Sequence, residues 1–239
     1  MLDQIFFLKF YSQPRIAIMI TIIVLFSISL HEYFHAQVAL WMGDSTAAEK
    51  GHLTLNPLRQ MGPTSLAMFA LVGIAWGAVP YNINRFRTKW GHLLMSLAGP
   101  AANLLLIAIA WITMALLTYF NVFDFAVHKS GTFVPNPLTN SLMMKNLYFF
   151  IYFLGIFNTA LFLLNMLPIP GLDGWHVFAY FFPKIKSVQS ETLKGTMLFM
   201  IIVVLISVRY FFIAGEFLMH RAVIFSTVLE RMFPQLPPG

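Results

Sequence analysis

The chain has 239 residues, of which 59% are hydrophobic and only 10% are charged, and its mean hydropathy is +0.75. Soluble domains carry about 25% charged residues, so this composition excludes a soluble globular protein and predicts an integral membrane protein. The net charge of +6 is attributed to loop lysines and arginines. The sequence lacks a basic stripe interleaved with aromatic residues, which is the pattern that would predict nucleic-acid binding. The absence of cysteine excludes thiolate metal ligands and cysteine nucleophiles.

Four apolar segments are long enough to cross a bilayer, which needs about 20 apolar residues. They are residues 16–40, 91–120, 146–167 and 195–217, and the sequence allows the last one to run on as an amphipathic tail through Arg221 and Glu230. The first is too long for the core of a signal peptide and no small-residue cleavage site follows it, so we expect it to be retained. A fifth stretch, residues 64–80, is short and interrupted by Gly73, Gly77 and Pro80. It predicts a short span or a re-entrant element, part helix and part extended, that other parts of the protein cover.

These elements predict an all-α polytopic membrane protein with four to six transmembrane helices and a small membrane-depth re-entrant or β element around residues 64–81. The chain contains no repeat of 20–50 residues and no long soluble stretch, so we expect residues 1–239 to form a single integral-membrane domain. The positive-inside rule favours a cytoplasmic location for the basic residues 82–89 and for the lysines after the third long segment.

The first span ends in the sequence HEYFH, residues 31–35, at a depth where a charge costs about 2.5–3.5 kcal/mol or more. His31 and His35 are four residues apart, so on a helix they share one face. Glu32 points elsewhere but can reach a water bound to a metal. This is the H-E-x-x-H arrangement, in which two histidines bind zinc and the glutamate is the general base. The alternative is an interhelical hydrogen-bonding pair of histidines beside a snorkelling glutamate.

A catalytic zinc needs a third protein ligand, and the context of Asp173 fits best. Asp173 lies in NMLPIPGLDGWHV, residues 165–177, where Pro168, Pro170 and two glycines break an apolar span just before a carboxylate appears. That layout is typical of a ligand that a broken helix presents to a buried cavity. The alternative is a helix-ending turn with a solvated aspartate. The other acids lie in termini, loops or the last segment: Asp3, Asp44, Glu49, Asp124, Glu191, Glu216 and Glu230.

The segment SLAGPAANLLL, residues 96–106, opens the second long span with small residues that let helix backbones approach closely. Pro100 is expected to kink this helix. Asn103 at this depth should hydrogen-bond a specific partner, either as a tie between helices or as a substrate-binding residue of the site.

Together these residues resemble the site-2 protease family of intramembrane zinc metalloproteases. HEYFH is similar to the family's zinc helix, NMLPIPGLDG to its N-x-x-P-x-P-x-L-D-G segment, and LAGPAANLLL to the span between them. The connectors GHLTLNPL and GIAWGAVPYNINRFR resemble those of compact bacterial members without PDZ or CBS domains. The resemblance implies that His31, His35 and Asp173 bind one zinc ion and that Glu32 activates its water.

The resemblance further implies that Asn165, Pro168 and Pro170 help to hold the substrate strand near the metal, and that chain around residues 73–81 pairs with an unwound substrate. Two positions depart from the family pattern and bear on the shape of the substrate groove: Trp175 stands where a small residue is usual, and Ala78 where a lysine is common. The other histidines match no ligand position and are interpreted as loop or interface residues: His52, His92, His128, His176 and His220.

The implied function is hydrolysis of peptide bonds in or near transmembrane segments of membrane-protein substrates, in a multi-pass protein of the bacterial cytoplasmic membrane with its site nearer the cytoplasmic face. The expected partners are such substrates and the lipid bilayer, and no nucleic acid. One alternative is a membrane zinc protease of the CAAX-processing type, with Glu216 as third ligand. The other is a non-catalytic membrane scaffold or metal-transport protein that uses the histidine pair structurally.

Overall fold

The computed structural model describes residues 13–123, 125–127, 133–135, 141–183 and 190–233. Its elements in chain order are helices α1 (Pro14–Trp41), α2 (Thr46–Glu49), α3 (Pro57–Gln60) and α4 (Gly62–Val72), a 3-10 turn (Ile83–Arg85), helix α5 (Gly91–Tyr119), strands β1 (Phe125–Val127) and β2 (Phe133–Pro135), and helices α6 (Leu142–Asn165), α7 (Asp173–Phe181) and α8 (Ser190–Met232). The two strands pair antiparallel, with Ala126 opposite Val134.

Within the residues that the structure describes, four helices are long and apolar enough to span a membrane: α1, α5, α6 and the Val208–Met232 part of α8. This confirms the predicted all-α polytopic membrane protein. Helices α1, α5 and α6 begin and end within four residues of the first three predicted segments. The fourth helix continues past residue 217 to Met232, as the expected amphipathic tail through Arg221 and Glu230 allows, because residues 218–232 contain neither proline nor glycine.

The predicted re-entrant stretch is part helix and part non-helical. Helix α4 has 11 residues, which is shorter than the roughly 20 that cross a bilayer. It ends at Gly73, and residues 74–82 then form neither a helix nor a ladder with another described strand. We call residues 74–82 the edge segment.

The chain divides into two compact units. The first contains helices α1 to α4, the start of α5 as far as Leu104, the end of α6 from Leu161, α7, and the start of α8 as far as Val208. The second contains the remainder of α5, the part of α6 before Leu161, and α8 from Arg209. The single domain expected over residues 1–239 stays a prediction.

Small residues at the start of α5 bring its backbone close to α1 in the first unit. Ser96, Ala98, Gly99 and Ala102 are all buried. Pro100 lies inside this helix, as the sequence predicted. Small side chains at a helix contact allow close backbone approach, and this contact determines where the polar residues of α1 meet those of α5.

Candidate metal centre

Helix α1 presents three ionisable side chains that are almost fully buried. His31, Glu32 and His35 are 6%, 7% and 5% exposed. The one-turn spacing of the histidines brings their Nε2 atoms to 3.0 Å, with the rings edge to face. Glu32 leaves the helix on an adjacent face, beside the pair.

Asp173 reaches both imidazoles from the start of α7. Helix α6 ends at Asn165, and the chain turns through Pro168, Pro170 and Gly171, whose φ of +96° favours glycine. The turn brings Asp173 Oδ2 to 3.1 Å from His31 Nε2 and its Oδ1 to 3.2 Å from His35 Nε2. The three side chains thus meet although about 140 residues separate the aspartate from the histidines along the chain.

Helix α5 fixes the orientation of the two imidazole rings. His31 Nδ1 lies 2.7 Å from Asn103 Oδ1, and His35 Nδ1 lies 2.7 Å from the backbone carbonyl oxygen of Met95. Both partners are acceptors, so each Nδ1 carries the proton and each Nε2 presents a lone pair. A neutral histidine held in this way is the form that ligates a metal.

Gly99 allows this arrangement because α5 passes directly beside the rings. A Cβ atom at this position would lie 2.3 Å from His35 Nε2 and 2.4 Å from His31 Nε2. Real Cβ atoms do not approach so closely, so any larger residue would displace the imidazoles. The glycine is therefore a requirement of the ring positions.

The donor set fits a zinc ion. His31, His35 and Asp173 each offer a ligand atom within 4.8 Å of the others. With both Nδ1 atoms protonated, two nitrogen lone pairs face a carboxylate, and the buried Asp173 Oδ2 has no hydrogen-bond partner among the described residues. Protonating both Nε2 atoms instead would put two imidazolium charges 3.0 Å apart. A bound dication would attract the two nitrogen lone pairs and the carboxylate together, so neither imidazole would need a second proton. Three N/O ligands leave a fourth coordination position open.

A cavity of about 300 Å³ adjoins the three side chains. Its polar lining comprises His31, Glu32, His35, Asn165, Asp173, His176 and Tyr81. Apolar residues such as Ile28, Leu161 and Leu164 complete the wall. Its volume is at the lower end of the usual range for ligand pockets.

The edge segment forms one wall of this cavity. A Cβ atom at Gly77 would lie 2.3 Å from Glu32 Cγ, so the backbone passes directly over the glutamate. On its other side, Trp76 N–H donates to Ser65 Oγ, which in turn donates to the Trp76 carbonyl, and Ala78 N–H donates to the Gln60 carbonyl. Hydrogen-bonded backbone amides therefore occur at every second residue, Trp76 and Ala78, which is the alternation of a β-strand.

The remaining predicted site residues take different positions. Asn165 lines the cavity. Asn103 was predicted either to join two helices by a hydrogen bond or to bind substrate. It is fully buried, lies outside the cavity lining and accepts a hydrogen bond from His31. This geometry is that of a hydrogen bond between helices. Pro168 and Pro170 form the turn before α7 and do not line the cavity, so their contact with substrate stays a prediction.

Two polar side chains of the cavity lining were not predicted as site residues, although Tyr81 ends the stretch 73–81 that was expected to pair with substrate. His176, interpreted from the sequence as a loop or interface residue, follows Asp173 by three residues on α7 and lines the cavity; this i, i+3 spacing was a usable signal. Tyr81 also lines the cavity, with its ring edge to face with that of His176. Burial, and then the charge of Asp173, raise the pKa of Tyr81, so its hydroxyl stays protonated and can donate.

Among the described histidines, His52, His92 and His220 take no part in the cluster. His92 packs its ring against His176, and His52 lies near Gln60 in the loop before α3. His220 packs against Tyr152 in the second unit. His128 lies outside the described residues. The acid of the cluster is Asp173 and not Glu216, the ligand that the CAAX-type alternative requires.

The chain matches a family model described as "Peptidase family M50" over residues 19–208, a range that includes every residue of the cluster. A curated relative, "Putative zinc metalloprotease YwhC" of Bacillus subtilis (strain 168), is 31% identical over 192 residues, which are 78% of this chain and 80% of that protein.

"Putative zinc metalloprotease Rip2" of Mycolicibacterium smegmatis is 36% identical over 157 residues, or 63% of this chain and 52% of that protein. "Putative zinc metalloprotease Rip2" of Mycobacterium tuberculosis (strain H37Rv) is 34% identical over 157 residues, which are again 63% of this chain and 52% of that protein. The chain therefore spans about half the length of the Rip2 relatives. No solved structure matches the chain with statistical significance.

Proposed function

Since this chain belongs to peptidase family M50, the site-2 protease family, we propose that it is an intramembrane zinc endopeptidase. It would cleave peptide bonds in or near transmembrane segments of membrane-protein substrates. The observation that carries the proposal is the convergence of two Nδ1-protonated histidines and Asp173 beside a cavity that Glu32 also lines.

In this proposal one zinc ion is held by His31, His35 and Asp173. Zinc would polarise the scissile carbonyl and lower the pKa of a bound water toward about 7. Glu32 takes the proton of the attacking water and passes it to the leaving amine, a contribution of roughly 10²–10⁴-fold. Asn103 and the Met95 carbonyl keep the imidazoles oriented during the reaction.

The edge segment supports the proposal that an unwound peptide is the substrate. Trp76, Ala78 and Asn82 direct their amides away from the cavity to partners elsewhere in the first unit. The amides of Ala75, Gly77 and Val79 make no hydrogen bond within the part of the chain that the structure describes. A substrate helix that unwinds exposes its own amides, and pairing with this free edge would satisfy them, as in β-augmentation.

The proposed setting is the bacterial cytoplasmic membrane, with the catalytic residues nearer the cytoplasmic face. The support is the cluster of Arg85, Arg87 and Lys89, which follows the edge segment directly and favours the cytoplasm. The apolar part of the cavity wall suits the side chains of a transmembrane segment.

The test is cleavage by the full chain, purified in detergent with its zinc measured, of a panel of single-span membrane proteins. We expect cleavage that Glu32→Gln abolishes while about one zinc per chain is retained, because glutamine cannot accept the proton but leaves the ligands in place. Glu230→Gln, which changes an exposed acid near the end of α8, is the matched control. A scaffold or metal transporter would keep its function in Glu32→Gln, and that result would contradict the proposal.

The substrate itself can be found by comparing membrane fragments from cells that carry the wild-type chain with those from cells that carry Glu32→Gln. A substrate should accumulate as an uncut single-span protein in the variant. If no membrane protein differs between the two strains, the chain does not act as a protease under those conditions and the proposal fails.

A further inference from the structure

The end of helix α1 and the edge segment are joined by a compact set of polar contacts. Residues 42–49, which we call the corner segment, follow directly after the helix that carries the histidines. Asp44 N–H donates to the Ala39 carbonyl, so the corner segment is hydrogen-bonded directly to the last turn of α1. Arg87 N–H donates to the Met42 carbonyl at 2.8 Å, which ties the chain just beyond the edge segment to the corner.

Asp44 lies at the centre of these contacts and is fully buried. Its Oδ1 accepts hydrogen bonds from the backbone N–H and the hydroxyl of Thr46. Its Oδ2 accepts the backbone N–H of Asn82 at 2.6 Å, from 38 residues further along the chain. A residue that only capped α2 would need the first oxygen alone, so the second contact requires another explanation.

The Asn82 contact continues the pattern of the edge segment. Trp76 is held by Ser65, Ala78 by Gln60 and Asn82 by Asp44, and Pro80 between them has no amide proton. The bonded residues thus have even numbers, and the odd-numbered residues Ala75, Gly77 and Val79 point the other way. A slip of one residue would exchange the two sets.

Along the chain, Asp44 is the support closest to the histidine helix. Ser65 and Gln60 belong to α4 and α3, whereas Asp44 lies three residues after the end of α1. The Asp44 contact therefore fixes the edge segment relative to the same helix that presents Glu32, over which Gly77 passes.

We infer that Asp44 is a positioning residue that sets the register of the edge segment over the catalytic glutamate. The inference rests on the proposed function, because the register matters only if a peptide pairs with this edge. Asp44 belongs neither to the ligand cluster nor to the cavity lining, and it acts through the Asn82 amide. A misplaced edge would present the scissile bond away from Glu32, and displacements of about 1 Å can cost 10²-fold in rate.

Asp44→Asn tests this inference with the smallest change of shape. Thr46 and Asn82 donate to different oxygens of Asp44, and in asparagine one of these oxygens becomes a donor NH2 group that faces a donor and cannot accept from it. Glu49→Gln is the matched control, since it removes another acid of the same corner segment, whose ion pair with Arg85 is exposed.

The first measurement is hydrogen exchange by mass spectrometry on the full-length chain in detergent micelles. In Asp44→Asn we expect the hydrogen-bonded amides of Trp76, Ala78 and Asn82 to exchange about tenfold faster or more, with residues 27–36 of α1 unchanged. Glu49→Gln should match the wild type throughout. Unchanged exchange in the edge segment, or equally faster exchange in α1, would overturn the inference.

The second measurement separates positioning from general support. For a cleaved transmembrane peptide, Asp44→Asn should lower kcat by about 10–100-fold while bound zinc stays at one per chain, because the scissile bond is presented away from Glu32 and the ligands are untouched. Zinc lost in parallel with activity would mean that Asp44 supports the metal centre, and would contradict the inference. If the wild type cleaves nothing, the proposed function fails, yet hydrogen exchange still decides whether Asp44 holds the edge segment.

Discussion

The buried hydroxyls of Thr159 and Ser226 in the second unit are satisfied differently from the buried histidine pair of the first unit. In the second unit, Thr159 donates to the carbonyl of Gly155 and Ser226 to that of Val223, each on its own helix. In the first unit, His31 and His35 bond to α5 and reach Asp173 on α7. A polar residue satisfied by its own helix costs little in an apolar span. Polar residues that join three helices indicate a site, because their burial needs a common partner.

The largest effect should come from removing the acid of the first unit. Asp173→Ala should lose the zinc and lower activity by more than about 10³-fold, because two histidines alone rarely retain a catalytic zinc. Glu216→Ala, which removes an exposed acid of the second unit, should keep both. Zinc content and cleavage rate measure the contrast. If Glu216→Ala loses zinc and Asp173→Ala does not, the chain uses the ligand of a CAAX-type protease.

A pair of glycine substitutions sharpens the comparison. Gly99→Ala should reduce activity by about 10²-fold or more, because its Cβ would displace both imidazoles. Gly155→Ala, in the second unit, meets only the flexible side chain of Met219, so we expect a lower unfolding temperature with zinc retained. Metal analysis and a thermal melt of each variant check this. Full zinc and wild-type activity in Gly99→Ala would show that the rings do not need their observed positions.

Removing one hydrogen-bond partner from each unit should have a smaller effect. Asn103→Leu leaves His31 Nδ1 without its acceptor and should weaken zinc affinity by about 10–100-fold. Thr159→Val deletes a hydroxyl that bonds to its own helix and should leave affinity unchanged. Competition with a zinc chelator measures both affinities. Equal affinities in the two variants would contradict the orienting role of Asn103.

The smallest effect concerns acid stability of the corner segment. Burial opposes ionisation of Asp44, but hydrogen bonds from Thr46 and Asn82 and the charge of Arg85 outweigh it and hold the pKa of Asp44 below its usual value. Such a carboxyl stabilises the fold above its unfolded pKa, near 3.9, and this stabilisation is lost as the pH falls through the folded pKa. The difference in thermal midpoint between wild type and Asp44→Asn should therefore be full at pH 7 and shrink below about pH 4. A constant difference would contradict this.

Much of the first unit could be predicted because its signals are local. Hydropathy alone gives α1, α5 and α6. The i, i+4 histidines and the break before Asp173 are visible within 13 residues or fewer of sequence. These patterns depend on helix geometry and on the cost of burying charge, which act wherever the segment lies.

The contacts that orient the site could not be predicted, because they depend on how helices meet. Nothing near Met95 or Asn103 indicates which imidazole each one faces, since their partners lie 60 and 72 residues away. Tyr81 enters the cavity only through the path of the edge segment. That path depends on Ser65, Gln60 and Asp44, three supports scattered over more than 20 residues.

The most direct measurement is zinc X-ray absorption on the purified full-length chain. The account predicts one zinc per chain with two imidazole nitrogens at about 2.0–2.1 Å and a carboxylate oxygen at about 2.0–2.2 Å, and loss of this spectrum in Asp173→Ala. A chain that binds no zinc, or whose zinc spectrum shows no imidazole or survives Asp173→Ala unchanged, would contradict it.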